Sequence, residues 1–392
     1  MKPFRAEVEA LQQNGITRVA LPHITDPDII PLWFGEGDMV TPEFIREAAK
    51  SALDGGQTFY CHTRGTEDFR DAIKLYLDKL YGVDLARDRI SVPGSAMLGI
   101  TIAAQMALTS GSHALIVSPN WPNIENVYRV TGAEVSFIRQ REESDGWCLS
   151  AREIIDHVKA NTGSIYVNSP CNPTGWVMSA DDQAELLEFC RKRQILIIAD
   201  EVYHRLIYDG DTAPSFISIA RDDDPVVIVN GLSKAWAMTG WRVGWVVAPS
   251  HTAQQWAILS ECFNTGATAF VQPAGIAALQ QGEQVVGELR NLYRQGRELV
   301  MQILAEHPAI ELSEPVGSFY AFPRIEGLRD SYEFAKGVLA EERVGIAPGY
   351  TFGPGNEAYF RICFAQSHER LRQGLEGVIR YIDRHVDELL ER

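Results

Sequence analysis

Clustered cysteines and long apolar runs are both missing from this sequence of 392 residues. Its six cysteines are scattered without a C-x-x-C pair, whereas disulfide frameworks and metal sites need clustered spacing. The most apolar long stretch, 90–108, is interrupted by proline, glycine, serine and glutamine, so we do not expect it to cross a bilayer. The first residues contain no apolar core of a signal peptide. These absences predict reduced thiols, no metal site and a cytoplasmic protein.

Positive charge is also scarce. The chain carries 36 lysines and arginines against 52 acidic residues, which gives a formal net charge of −16. A surface of this sign repels nucleic-acid phosphates and anionic membranes, so neither is expected as a partner. A small anionic ligand would instead have to be captured by a local cluster of cationic side chains and backbone N–H groups.

Six short runs rich in β-branched residues predict strands, and several of them are apolar on both faces. They span residues 114–118, 135–138, 164–168, 195–199, 226–230 and 243–248. Helical patterns separate most of them, for example over 181–193 with Ser179 as the N-cap. This alternation predicts an α/β fold in which a mostly parallel central sheet is flanked by helices.

The pattern changes near residue 283, where a long helical segment leads into strand, loop and a final helix. No repeat or linker divides the chain into independent modules. We predict three parts: an N-terminal segment over 1–45 that packs with a small domain, a large domain over 46–285, and the small α+β domain itself over 286–392.

Polar segments follow four of the predicted strands, at 119–121, 169–175, 200–203 and 231–234. Ligand sites in open parallel sheets lie beyond the carboxyl ends of the strands, where these segments begin. The last segment ends in Lys234, which has Leu, Ala, Trp and Met around it, so its ammonium group would be costly to bury. Burial lowers the pKa of a lysine and suits Schiff-base chemistry with a carbonyl compound. Arg242, eight residues on, could bind a phosphate with its guanidinium.

Three further segments place polar groups at the same edge. Asp200 directly follows a buried run, where a carboxylate either caps a helix or pairs with a cation. A pyridinium at ~4 Å would attract it by about 4 kcal/mol at an effective dielectric of ~20. Asn172 lies in a proline-rich turn, which is also typical of simple turn punctuation. Gly94, Ser95 and Ala96 open an apolar helical pattern, and helix N-termini preceded by small residues bind phosphate.

Three motifs occur in a fixed order: Asn-Pro-Thr-Gly at 172–175, Asp-Glu-Val-Tyr at 200–203 and Ser-Lys-Ala-Trp-Ala-Met-Thr-Gly-Trp-Arg at 233–242. Together they resemble the class I/II, aspartate-aminotransferase-like enzymes that depend on pyridoxal 5′-phosphate (PLP). The resemblance extends from 35–38 to 361–365 and implies the PLP-dependent transferase fold of type I, with PLP bound in the large domain. It implies an aminotransferase that moves an amino group between an L-amino acid and a 2-oxo acid.

The resemblance also assigns residues to the cofactor. It implies that Lys234 holds PLP as an aldimine and moves the substrate proton, while Asp200 pairs with the pyridine nitrogen. Asn172 and Tyr203 would hydrogen-bond the ring oxygen, and Trp121 would stack on the ring. The residues implied at the phosphate are Gly94, Ser95, Ala96, Ser233 and Arg242.

For the substrate, the resemblance implies that Arg361 binds the α-carboxylate, with the backbone of Gly35 at the same group and Asn172 also at the substrate. Tyr60 matches a tyrosine given to the phosphate of the partner subunit, so a homodimer with shared active sites is implied. Arg64 lies in the same segment and has no acidic neighbour in its loop. It either pairs with an acid at the surface or interface, or recognises the distal carboxylate of a substrate.

Two alternative functions remain open. The same fold and PLP site support lyase, racemase or decarboxylase activity, and the fold alone does not decide between them. The second alternative is a PLP-binding regulatory module, although such proteins usually add a DNA-binding domain. The lysine that some bacterial aspartate aminotransferases carry after Gly94 is absent, which disfavours aspartate as the substrate. The sequence identifies neither the amino donor nor the acceptor.

Overall fold

A computed structural model describes residues 4–144 and 146–391, with side chains up to residue 385. The strands within these residues are β1 (Ile30–Pro31), β2 (Ile90–Gly94), β3 (His113–Ser118), β4 (Glu134–Arg139), β5 (Arg141–Glu143), β6 (Gly146–Cys148), β7 (Thr162–Asn168), β8 (Leu196–Asp200), β9 (Val226–Gly231), β10 (Gly244–Val247), β11 (Ile310–Glu311), β12 (Tyr320–Ala321), β13 (Arg324–Ile325), β14 (Val344–Gly345), β15 (Ala347–Pro348) and β16 (Phe360–Cys363).

The α-helices within the same residues are α1 (Ala6–Glu9), α2 (Gly15–Ala20), α3 (Glu43–Asp54), α4 (Glu67–Tyr81), α5 (Ala96–Ala107), α6 (Asn123–Val130), α7 (Ala151–Asp156), α8 (Ala180–Arg193), α9 (Ala253–Asn264), α10 (Val271–Gln281), α11 (Glu283–Leu304), α12 (Ser331–Glu342) and α13 (His368–Glu391). In this described part of the chain, none combines the length and apolar character needed to cross a membrane.

The central sheet has seven strands in the order β2-β10-β9-β8-β7-β3-β4. Its neighbouring strands are parallel except where β10 runs antiparallel to β2 and β9. The predicted sheet, mostly parallel and flanked by helices, is confirmed. The connection from β9 to β10, residues 232–243, contains only a 3-10 turn, whereas a parallel return needs a longer crossover, usually with a helix. The short connection therefore explains the one reversed strand.

Both faces of the sheet are buried, and alternate residues of a strand belong to different hydrophobic clusters. In β3, Leu115 and Val117 pack in one cluster, and Ala114 and Ile116 pack in the other. Successive side chains of a strand point to opposite faces, so a strand covered by helices on both sides reads as a continuous apolar run. This explains why apolar and polar residues do not alternate in the runs from which the strands were predicted.

The prediction of a helix over 181–193 capped by Ser179 is confirmed by α8. The Ser179 hydroxyl accepts a hydrogen bond from the backbone N–H of Asp182 at 3.1 Å, which satisfies one of the free donors at the helix start. The helix ends in a run of basic residues before Gln194, which adopts the left-handed conformation. Positive charge at a helix C-terminus is stabilising.

A third hydrophobic cluster joins the two ends of the chain. It contains Ile16 and Leu32 from the N-terminal segment together with Leu289 and Phe360 from the C-terminal part, and β1 pairs in parallel with β14. Tyr203, from the loop after β8, belongs to the same cluster. These contacts support the three-part division predicted from the sequence, which we keep as a proposal.

Candidate active site

A cavity of about 290 Å³ lies where the carboxyl ends of the parallel strands meet the N-terminal segment and the small-domain strands. Strands β7 and β8 end at its wall, and the loop after β9 enters it. The predicted site residues that line it are Gly35, Ala96, Trp121, Asn172, Asp200, Tyr203, Ser233, Lys234, Arg242 and Arg361. The topology thus brings together side chains that are scattered through the sequence.

Lys234 lies in the loop after β9, and its amine reaches back to the N-terminal segment. Its Nζ donates a hydrogen bond to the backbone oxygen of Gly35 at 2.7 Å. The ring centroids of Tyr203 and Phe319 each lie 5.7 Å from Nζ. Burial among these groups lowers the pKa of Lys234 to about 8. A substantial fraction of the amine is therefore neutral near neutral pH, which is the form that attacks a carbonyl.

Asp200 is the last residue of β8 and is 5% exposed. Its Oδ2 accepts a hydrogen bond from the Tyr166 hydroxyl at 2.7 Å, and its Oδ1 accepts a longer one, 3.4 Å, from the N–H of Val202. Burial raises the pKa of Asp200 to about 6. Among the described residues it has no ion-pair partner, and residues 201–205 contain no helix for it to cap. A cation in the cavity would stabilise this carboxylate.

Arg361 projects from β16 and is 2% exposed. Its Nη1 donates to Oδ1 of Asn172 at 3.0 Å, and its Nη2 donates to the backbone oxygen of Trp33. The guanidinium carbon lies 4.4 Å from the ring centroid of Tyr320. Nε is buried and has no hydrogen-bond partner in the described part of the chain. An arginine held this firmly, with a donor left over, is suited to binding a carboxylate.

The start of α5 and the β10 strand come close together at another wall. Gly94 ends β2 with a φ of +129°, a conformation that glycine adopts without strain. Ser95 caps α5 by accepting a hydrogen bond from the N–H of Leu98 at 3.2 Å. A Cβ at Gly244 would lie 2.6 Å from the backbone nitrogen of Ala96, so only glycine permits this approach. The helix N-terminus therefore opens into the cavity, as phosphate binding requires.

Arg242 stands beside this helix start, in the left-handed conformation with a φ of +53°. Its side chain is exposed, and Nη1 donates to the backbone oxygen of Thr239 at 2.8 Å. The other guanidinium donors have no protein partner among the described residues, so they are available to an anion in the cavity. Ser233 and Trp121 also line the cavity.

Sequence reasoning missed the amide pair that closes the cavity near the N-terminal segment. Asn14 Nδ2 donates to Oδ1 of Asn123 at 3.2 Å, and Asn14 Oδ1 accepts from the N–H of Ile16 at 2.9 Å. Ile16 and Thr17 line the same cavity. A capping asparagine before a short helix is a local signal, but its partner 109 residues away is not.

Tyr60 lies outside the cavity of its own chain, on the loop between α3 and α4. Its side chain is 90% exposed and that of the preceding Phe59 is 82% exposed. Two neighbouring aromatic side chains in water are unfavourable unless they meet a partner. A residue that contributes to the site of another subunit has to be exposed on its own chain, as Tyr60 is.

The structure bears on the two alternatives left open for Arg64, pairing within the protein and recognition of a substrate carboxylate. Its side chain faces β2 of its own chain: Nε donates to the Ser91 hydroxyl at 2.9 Å, and Nη2 donates to the backbone oxygens of Asp88 at 2.5 Å and Ile90 at 2.9 Å. Nη1 lies 3.8 Å from Oδ1 of Asp88. The guanidinium is already engaged by these groups, and only 7% of the residue is exposed. This arrangement favours the alternative of an arginine paired within the protein.

Arg64→Ala is therefore expected to lower the free energy of unfolding by roughly 2–3 kcal/mol, because it leaves the buried Ile90 carbonyl and Ser91 hydroxyl without their donor. Urea unfolding measures this change. The KM values for acidic and apolar amino acids should change equally. The control is Arg87→Ala, whose side chain is 40% exposed and should cost less than about 1 kcal/mol. A selective rise in KM for glutamate and aspartate at unchanged stability would restore the substrate role.

Glu201, next to Asp200, is a second buried carboxyl group. Its Oε2 accepts from the Ser215 hydroxyl at 2.5 Å and its Oε1 from the N–H of Phe216 at 3.1 Å. Burial raises the pKa of Glu201 to about 8. The folded protein therefore holds this proton over a pH range in which an unfolded glutamate, with a pKa near 4.5, has released it.

The stability that Glu201 contributes is complete below about pH 4.5 and is lost progressively as the pH rises to about 8, because the folded state binds the extra proton. Glu201→Gln cannot ionise, so its stability relative to the parent should increase between about pH 5 and pH 8. Urea unfolding of both proteins across this range measures the difference and cancels the other titrating groups. A difference that does not change with pH would mean that Glu201 is already ionised in the folded protein.

Known proteins resemble this chain in sequence and in fold. The family profile for aminotransferase class I and II matches residues 28–378. The chain is 34% identical over 354 residues to an aspartate aminotransferase of Pyrococcus horikoshii, covering 90% of each chain. It is 33% identical over 353 residues to an aromatic-amino-acid aminotransferase 2 of Thermococcus litoralis, covering 89% of this chain and 90% of the relative. The crystal structure of an aromatic aminotransferase from Pyrococcus horikoshii OT3 has a TM-score of 0.86 at 33% identity, over 92% of this chain and 97% of that chain.

Fold and matches together define a PLP-dependent transferase of fold type I. The chain belongs to the class I and II aminotransferases, which transfer an amino group between an amino acid and a 2-oxo acid. The resemblance noted from the motifs is thereby confirmed, and so are the fold, the activity and the cofactor that it implied.

The residues around the cavity fit PLP. Asp200 is a buried carboxylate with no ion-pair contact among the described residues, which suits a protonated pyridine nitrogen. The Lys234 amine, with its lowered pKa, is placed to meet an aldehyde. The start of α5 and the exposed Arg242 offer donors for a phosphate. Arg361 lines the same cavity, and the guanidinium hydrogens not used by Asn172 and Trp33 are donors for a substrate carboxylate.

Proposed function

We propose that Lys234, Asp200 and Arg361 are the groups of this chain that carry out the amino-group transfer. The observation that supports this most directly is their convergence on one cavity, although they come from a loop, a parallel strand and a small-domain strand. The remaining cofactor contacts are proposed for Gly94, Ser95, Ala96, Trp121, Asn172, Tyr203, Ser233 and Arg242.

Each group has a distinct chemical task. PLP, when bound, supplies an aldehyde for covalent attachment and a ring that withdraws electrons from the substrate Cα. Lys234 Nζ, neutral in substantial part because its pKa is about 8, can accept the proton from Cα and return it. Asp200 holds a proton on the pyridine nitrogen by electrostatic attraction. Arg361 is proposed to hold the α-carboxylate and the backbone of Gly35 to contact the same group, which their common place in the cavity lining supports.

Product analysis distinguishes transamination from the other reactions of this fold. With an amino acid alone, a transaminase releases at most one equivalent of 2-oxo acid per site and no ammonia. Adding a 2-oxo acid as acceptor should then allow continuous turnover. Sustained release of ammonia or carbon dioxide without an acceptor would instead support a lyase or a decarboxylase.

The enzyme is proposed to act as a homodimer that shares its active sites. The exposed side chains of Phe59 and Tyr60 support this, and so does the 73% exposure of Val40 in an open groove that also includes Trp241 and Arg242. This groove therefore adjoins the proposed phosphate-binding arginine. We propose that a second copy covers these apolar side chains and that its Tyr60 reaches that arginine.

Mixing two defective variants tests the shared site. If Tyr60 of one chain completes the site of the other, a heterodimer of Tyr60→Phe and Lys234→Ala has one intact site and one site with both defects. At limiting PLP, activity per Tyr60→Phe chain should rise on mixing and exceed that of the Tyr60→Phe parent. The control mixes Tyr60→Phe with the double variant Tyr60→Phe/Lys234→Ala, which cannot form an intact site. Equal activity in both mixtures would count against a shared site.

A further inference from the structure

Tyr320 is a buried tyrosine in the cavity wall that none of the sequence motifs singled out. It begins β12, which pairs antiparallel with β16 so that Tyr320 stands opposite Cys363, two residues beyond Arg361. The residue is 1% exposed, and it lines the cavity together with Tyr203 and Arg361. The small-domain strands therefore place Tyr320 between two residues to which the proposed function gives tasks.

Both ends of the Tyr320 side chain make a specific contact. The guanidinium carbon of Arg361 lies 4.4 Å from the ring centroid, within the range of a cation–π interaction. The hydroxyl oxygen lies 2.8 Å from the hydroxyl oxygen of Tyr203. A Cβ at Gly35 would lie 1.9 Å from the Tyr320 hydroxyl, so the backbone of Gly35 packs directly against it. The hydroxyl is thus confined between Tyr203 and Gly35.

The number of hydroxyl hydrogens determines which of the two tyrosines donates the hydrogen bond between them. A tyrosine hydroxyl has one hydrogen to donate. If Tyr203 donates it to an acceptor in the cavity, its oxygen must accept the hydrogen of Tyr320 across the 2.8 Å contact. Burial raises the pKa of both hydroxyls, so both keep their hydrogens. A hydroxyl that accepts a hydrogen bond is a stronger donor, because the two bonds polarise each other.

We propose that Tyr320 is a positioning residue, whose hydroxyl directs the Tyr203 hydroxyl toward the ring oxygen of bound PLP and whose ring holds the Arg361 guanidinium in place. This inference rests on the function proposed for Tyr203 and Arg361. The hydroxyl serves the cofactor side of the site and the ring serves the substrate side. Two substitutions can therefore separate the tasks.

Tyr320→Phe removes the hydroxyl and keeps the ring. The visible absorbance of the PLP-bound enzyme is measured as a function of pH. The midpoint of this titration is the pH at which half of the covalent links between Lys234 and PLP have lost their proton. Loss of that proton leaves a full negative charge on the ring oxygen, which the Tyr203 hydroxyl stabilises, so weaker donation raises the midpoint. We expect a rise of about half to one pH unit for Tyr320→Phe and at least as much for Tyr203→Phe.

The double variant Tyr203→Phe/Tyr320→Phe tests whether Tyr320 acts through Tyr203. If it does, the second substitution adds nothing, and the midpoint equals that of Tyr203→Phe alone. An unchanged midpoint in Tyr320→Phe, or two shifts that add in the double variant, would overturn the coupling. A residue that only supports the fold would lower the melting temperature of the protein without moving the midpoint.

Tyr320→Leu removes the ring and tests the contact with Arg361. Its KM for L-glutamate and for L-phenylalanine should rise about fivefold to tenfold, whereas Tyr320→Phe should change it less than about twofold. Equal KM values in the two variants would overturn the role of the ring. If the parent protein itself shows no pH-dependent absorbance from bound PLP, the proposed function of Lys234 fails instead, which keeps the two failures distinguishable.

Discussion

Lys234→Ala is expected to leave no covalently attached PLP and to lower turnover by several orders of magnitude, because it removes both the attachment point and the proposed base. The variant should still fold, since alanine replaces an amine that burial already destabilises in its charged form. PLP can still bind through the phosphate and ring contacts. Reduction with borohydride, followed by mass analysis of the chain, measures the covalent attachment.

The control for this experiment is Lys50→Ala. Lys50 is 59% exposed and pairs with Glu47 on the same helix, so its removal should leave reducible PLP and turnover unchanged. Lys234→Arg adds a second comparison, because it keeps a positive charge and removes the amine nucleophile; it should be as inactive as Lys234→Ala. Reducible PLP on the Lys234→Ala chain would show that another lysine holds the cofactor.

Asp200→Asn should lower turnover on the order of a hundredfold or more, because an uncharged amide no longer holds the proton on the pyridine nitrogen. The attraction it removes, about 4 kcal/mol at ~4 Å and an effective dielectric of ~20, corresponds to about three units in the pKa of that nitrogen. The amide oxygen can still accept the hydrogen bond that the Tyr166 hydroxyl now gives to Oδ2. The fold should therefore tolerate the change.

The comparison between Asp200→Asn and Asp200→Ala separates charge from hydrogen bonding. Both variants should lose turnover at saturating PLP to a similar extent, whereas only Asp200→Ala leaves Tyr166 without its acceptor and should be less stable. Steady-state kinetics and thermal melting measure the two effects. Near-normal turnover in Asp200→Asn would show that the charge of Asp200 is not required.

The fold was predictable wherever it depends on local pattern. Runs that are apolar on both faces identified the buried strands, and the Ser179 cap located the start of α8. The edge strand β2 was not identified, because its five residues include Pro93 and Gly94. The reversal of β10 depends on the length of its connection and on pairing with both β2 and β9. Pairing of this kind is a long-range property.

The residues of the site could be predicted only where they belong to a recognisable sequence motif. Lys234, Asp200 and Asn172 stand in short, ordered segments that resemble a known family, and the cavity includes all three. The choice between the two alternatives for Arg64 could not be made from sequence, because its partners on and before β2 are distant from its loop, 24 to 27 residues away. The loop itself contains no acidic neighbour. Burial against backbone carbonyls is not visible in such a segment.

The sequence by itself determined the class of fold, the cofactor and the residues expected at its reactive atoms, because these depend on local runs and on motifs of a few residues. Only the tertiary structure decided which groups face one another. Tyr203 and Tyr320 are 117 residues apart, and Lys234 and Gly35 are 199 apart, yet both pairs meet in the cavity. The lowered pKa of Lys234 and the raised pKa of Asp200 also arise there. Desolvation depends on every chain segment that excludes water, and no single segment of sequence encodes it.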